Sequence, residues 1–168
     1  MMNTNHISDN LPKEIKSKLI KNINGLDIHY LESGEKKENS ELIVLLHGFP
    51  ELSFSWRKIL TSLSDVGYHV VAPDQRGFGS TIGADLSYTN NLNDFSLINL
   101  ATDIYVFIQR LGYKKVKCVV GHDSGVGPAS WLALIRPDIF SNLVIMSGPF
   151  TGPPSPMTIA ENIYMPDT

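Results

Sequence analysis

The chain has 168 residues, 42% of them apolar, and its 17 acidic and 14 basic side chains give a formal net charge of -3. That is enough for one globular domain with a real core, and the acidic balance with scattered basic residues argues against a polyanion-binding surface, so no nucleic-acid partner is expected. Met1 to Asn10 is polar, no stretch approaches the roughly 20 apolar residues that span a bilayer, and the expectation is a cytoplasmic protein with no membrane association.

In chain order, residues 1–18 are polar and read as an N-terminal arm with no visible chemistry. Leu19 to Ile23 and Leu26 to Leu31 flank Asn24-Gly25, a dipeptide suited to a two-residue hairpin turn in which both positions need positive φ. Two antiparallel strands should therefore open the fold. From Glu41 the pattern becomes short apolar runs alternating with helical stretches, which implies α/β architecture with a mostly parallel sheet and flanking helices. The strands are Leu42 to Leu46, His69 to Ala72, Val116 to Val120 and Leu143 to Met146, read as buried on both faces. The helices are Phe54 to Leu63, Leu97 to Leu111 and Ser124 to Ile135. A polar loop fills the interval from Gly79 to Phe95. The core domain is expected over 19–148, followed by a Pro-rich linker over 149–168. The single cysteine, Cys118, lies in an apolar run and reads as buried and inert, which fits a reducing compartment.

The pentapeptide Gly121-His122-Asp123-Ser124-Gly125 sits between a strand and a helix. A nucleophile on such a sharp turn needs small residues two positions away on each side, and Gly121 and Gly125 meet that need only with Asp123 at the centre. With Ser124 at the tip the small positions would fall on His122 and Val126. A carboxylate there can attack an sp³ carbon and form an alkyl ester that water later hydrolyses, chemistry suited to epoxides and alkyl halides. A plain Gly-rich turn with a capping Asp would give the same pentapeptide. His47-Gly48-Phe49-Pro50 follows the strand Leu42 to Leu46, and the Phe49 N–H is a candidate second oxyanion donor beside that of Ser124. Asp74 and Arg76, in Asp74-Gln75-Arg76-Gly77-Phe78-Gly79-Ser80, read as bridging neighbouring loops. Trp56 reads as core or pocket lining, and His29 and His69 as structural residues within strands. No His/Cys cluster has metal-ligand spacing, so no metal and no cofactor are expected.

Taken together with Arg136-Pro137-Asp138 and the Pro-rich Gly148 to Pro156, these motifs in order resemble the α/β-hydrolase superfamily, and within it the epoxide hydrolase branch. The resemblance implies Asp123 as nucleophile, Phe49 and Ser124 as the oxyanion hole, and His47, Gly48, Pro50, Trp56 and His122 in substrate binding or loop support. It also implies a cap with two tyrosines, a later acid and a later histidine. All five histidines of this chain precede Asp123.

The leading expectation is thus the N-terminal half of an epoxide-hydrolase-like enzyme, truncated before the cap and last strands, with a small-molecule epoxide as substrate. Self-association, or pairing with a missing C-terminal half, would cover the apolar strand Leu143 to Met146. One alternative is a non-catalytic binding or assembly protein on the same fold. Another is a haloalkane dehalogenase-like hydrolase, which Ser124 disfavours because those enzymes usually carry Trp at that position.

Overall fold

A computed structural model of the protein describes residues 11–150, so residues 1–10 of the expected arm and residues 151–168 of the expected linker lie outside the described residues. Six strands form one sheet in the order β1-β2-β4-β3-β5-β6: β1 Lys16–Ile23, β2 Leu26–Ser33, β3 Leu42–Leu46, β4 His69–Pro73, β5 Cys118–His122 and β6 Leu143–Met146. β1, β2 and β4 are joined by antiparallel pairings, whereas β4, β3, β5 and β6 run parallel.

The hairpin turn forms as its dipeptide predicts, with φ of 48° at Asn24 and 82° at Gly25. β1 begins at Lys16 rather than Leu19, so the last residues assigned to the arm belong to the sheet. β1 is an edge strand with mostly solvent-exposed side chains, which leaves no apolar alternation to reveal its start.

The α-helices are α1 Arg57–Asp65, α2 Leu97–Arg110 and α3 Val126–Ile135. Alternation along β3 sends its side chains to two cores. Leu42, Val44 and Leu46 pack with Ala101, Ile104 and Phe107 of α2 and Ala129 and Leu132 of α3. Ile43 and Leu45 pack on the other face with Leu60 of α1 and Trp56. The single helix expected over Phe54 to Leu63 divides into a 3-10 turn, Ser53–Trp56, and α1.

Three further differences from the sequence reading have local causes. The strand expected over Val116 to Val120 moves two residues along, because Gly121 pairs with both Leu46 and Ile145 and His122 pairs with Met146. Val116 keeps only an isolated bridge to Phe140. β6 is exposed at Val144, Ile145 and Met146 rather than buried, since among the described residues it is the sheet's other edge. Cys118 is only half-buried, and its burial pushes the thiol pKa up.

Candidate active site

β5 delivers His122 in extended geometry and the chain then reverses at Asp123, whose φ is 50°. A non-glycine residue held in this left-handed region is strained, and such strain persists only where the surroundings enforce it. The enforcement is close backbone packing. A Cβ on Gly121 would stand 2.5 Å from the Gly125 carbonyl oxygen, and one on Gly125 would stand 2.6 Å from that of Leu46. Both obstacles are main chain and cannot swing aside, so glycine at 121 and 125 lets the turn centre on Asp123. One 3-10 turn, Asp123–Gly125, leads into α3.

The loop after β3 meets this turn. The Phe49 N–H donates to Asp123 Oδ1 at 2.9 Å, while Phe49 itself is exposed. Hydrogen bonds from the Phe49 and Ser124 N–H groups hold the Asp123 carboxyl below its usual range. The carboxylate is accessible and anchored by backbone donors at once.

His47 supports the loop from beneath and is fully buried. The Gln75 N–H donates to His47 Nε2 at 3.1 Å, so Nε2 is an acceptor, and His47 Nδ1 donates to the Gly48 carbonyl at 2.9 Å. Both contacts suit a neutral ring, and burial lowers the pKa of His47. The Gln75 side chain donates in turn to the His47 carbonyl at 2.6 Å. Pro50 lies exposed at the end of the tetrapeptide.

Beside the same loop, His122 Nδ1 lies 3.1 Å from Glu51 Oε2 and the Trp56 ring packs edge-on at 6.4 Å. These three residues, with Ser55, Ile59 and Met146, line a cavity of about 180 Å³. A second cavity of about 150 Å³ is bounded by Phe49, Gln75, Arg76, Phe78, Phe95, Leu100 and Ser124. The chain neighbours of Asp123 thus line two small cavities, His122 one and Ser124 the other. Among the described residues no cluster of His, Cys, Asp or Glu is placed to hold a metal.

Asp74 and Arg76 bridge loops as their spacing suggests. Asp74 Oδ1 accepts from the Ser53 N–H at 2.8 Å, and its Oδ2 accepts from the Ser80 N–H at 3.0 Å. Arg76 grips Asp103 of α2 through Nε at 2.8 Å and Nη2 at 2.7 Å. The structure thus gathers Asp123, Phe49, Ser124, Gly48, Trp56 and His122 around one turn, with His47 and Pro50 in the adjoining loop. Glu51 and Gln75 are neighbours that residue-type patterns did not single out, since only the tertiary fold turns them toward His122 and His47.

Residues 41–167 match the family described as the α/β hydrolase fold. "Epoxide hydrolase 3" of Siraitia grosvenorii is 39% identical over 129 residues, covering 77% of this chain and 38% of that protein. The "AB hydrolase superfamily protein YfhM" of Bacillus subtilis (strain 168) is 34% identical over 145 residues, 86% of this chain and 47% of that protein. Among solved structures, epoxide hydrolase I of potato (Solanum tuberosum) superposes with a TM-score of 0.74 at 38% identity, over 89% of this chain and 44% of that one. The chain spans under half the length of these relatives. With the family match running from the start of β3 through the elbow and beyond, the chain is an epoxide hydrolase-like member of the α/β hydrolase fold family.

Proposed function

We propose that Asp123 opens an epoxide by attacking one of its ring carbons. A carboxylate oxygen of Asp123 forms the new C–O bond, the ring C–O bond breaks, and the released oxygen takes a proton from solvent or from a donor outside the described residues. The observation that carries this reading is the Phe49 N–H at 2.9 Å from Asp123 Oδ1. It anchors one carboxylate oxygen on the backbone and keeps the group ionised. When the ester is later attacked by water, the same donor lies where negative charge would develop.

Hydrolysis of that ester requires a general base. The resemblance to epoxide hydrolases puts a histidine after the elbow, and none of the residues after Asp123 is histidine. The chain by itself should accordingly perform the first half-reaction and retain the adduct. Incubation with styrene oxide followed by peptide mass spectrometry is expected to find one epoxide equivalent on Asp123, lost in Asp123→Asn. An unmodified Asp123, or many turnovers per chain, would defeat this reading.

The exposed apolar strand β6 favours a companion proposal, that this edge is covered by a complementary polypeptide or a second copy. Size-exclusion chromatography checks it, and a monomer that stays soluble at high concentration would count against it.

A further inference from the structure

We propose that Ser17, His29 and Asp74 form a second nucleophilic site, remote in sequence from the elbow, at which the Ser17 hydroxyl accepts an acyl group from an activated ester. The proposal does not depend on the role given to Asp123.

The site is built by strand register. Ser17 of β1 lies opposite Leu31, and Leu19, two residues on, lies opposite His29 of β2. Period-two alternation therefore places Ser17 and His29 on one face of the hairpin as diagonal neighbours. Ser17 Oγ is 2.8 Å from His29 Nε2, and His29 Nδ1 is 2.7 Å from Asp74 Oδ2 at the end of β4. A hydroxyl on one ring nitrogen and a carboxylate on the other are the contacts of a nucleophile, its base and the group that orients the base, an arrangement recognised by geometry rather than chain position.

Burial runs in the matching order. Asp74 is 1% exposed and His29 8%, whereas Ser17 is exposed on the edge strand. The imidazole is fixed at both ends of its own backbone: the His29 N–H donates to Thr81 Oγ1 at 3.0 Å, and its carbonyl accepts from the Asp74 N–H at 2.8 Å. Burial pushes the Asp74 carboxyl up, but hydrogen bonds from His29, Ser80 and Ser53 outweigh it and hold the group below its ordinary value. An ionised Asp74 accepts from Nδ1–H, which leaves the Nε2 lone pair facing the serine hydroxyl. Lys16 and Lys18, the sequence neighbours of Ser17, alternate to the opposite face of the hairpin, where Lys18 pairs with Glu32.

In the step proposed, Ser17 Oγ bonds to the carbonyl carbon of the ester as its proton passes to His29 Nε2. The bond from that carbon to the leaving oxygen breaks, and the leaving oxygen takes the proton from His29. One ester and one serine hydroxyl become one acyl-serine and one free phenol or alcohol.

The test treats the full chain carrying Asp123→Asn, which removes the competing carboxylate, with p-nitrophenyl acetate and follows acetylation by peptide mass spectrometry. Ser17 should be acetylated at least about 100-fold faster than Ser62 and Ser141, exposed serines of the same molecule, in keeping with the usual contribution of a positioned base. His29→Gln should bring Ser17 down to their rate. Equal rates at Ser17, Ser62 and Ser141, acetylation falling on Lys16 or Lys18 instead, or undiminished Ser17 labelling in a folded His29→Gln chain would each overturn the proposal. Because the first comparison is made within one molecule, it decides the matter even if His29→Gln fails to fold.

Discussion

Gly48 backs directly onto Asp123: a Cβ at position 48 would stand 2.6 Å from Asp123 Cβ and 3.0 Å from its Oδ1. The loop that carries the Phe49 donor approaches the elbow this closely only because residue 48 has no side chain.

Gly48→Ala should therefore push loop and elbow apart, costing about 1–3 kcal/mol of stability and slowing alkylation of Asp123 by about tenfold or more. Urea denaturation and the styrene oxide adduct assay read the two effects separately. Gly125→Ala meets the main chain of Leu46 and His47 instead, and should lower stability by a larger amount than Gly48→Ala.

Alkylation should persist in acid. Backbone hydrogen bonds from Phe49 and Ser124 hold the Asp123 carboxyl below its ordinary value of 3.8, and only the ionised form attacks carbon. The adduct-forming rate should stay level as pH falls to about 4 and drop only below the pH at which an ordinary aspartate would already be half protonated. A rate that halves at pH 3.8 or above would show that those donors do not act on Asp123 in solution.

Stability should carry a separate acid signature from Glu32. Burial alone would raise its pKa, but hydrogen bonds from His69 at 2.9 Å and from Lys18 dominate and bring it down to about 2 from an ordinary 4.5. A depressed folded-state pKa contributes stability that is fully present above pH 4.5 and is lost as pH falls toward 2. Glu32→Gln should lose on the order of 1–2 kcal/mol at pH 6, allowing for solvent screening, and show a flatter stability profile between pH 4.5 and 2 than the parent chain. Thermal melts across that window provide the measurement.

The Arg76–Asp103 pair should behave asymmetrically. Both side chains are buried, and Asn24 also donates to Asp103 Oδ1 at 2.7 Å. Arg76→Met strands a buried carboxylate and should cost about 3–5 kcal/mol, whereas Arg76→Met with Asp103→Leu should recover much of it. A double-mutant cycle by urea denaturation measures the coupling.

The parts of this molecule that were legible in the sequence are those carried by consecutive residues. β3 and β6 occupy the runs expected, Asn24-Gly25 makes the turn expected, and Gly121-His122-Asp123-Ser124-Gly125 folds about the residue its glycines indicate. Pairings that join distant segments left weaker traces. Lys16 to Lys18 look like solvated arm because an edge strand needs no apolar face, and β5 reaches His122 only because β3 and β6 supply partners there. The hydrogen bond between Glu51 and His122 spans 71 positions, and those among Ser17, His29 and Asp74 span 12 and 45. Each residue was visible, but its neighbour was decided by topology.

Asp74 holds Ser53, just beyond the loop that bears Phe49, through one oxygen, and His29 and Ser80 through the other. One side chain therefore ties the base of the proposed Ser17 site to the segment that follows the Phe49 loop. A substitution there would be pleiotropic: an activity lost at either site would not identify which one required the carboxylate. If both proposals hold, Asp74 is under joint constraint, and only a residue that suits both sites together could replace it.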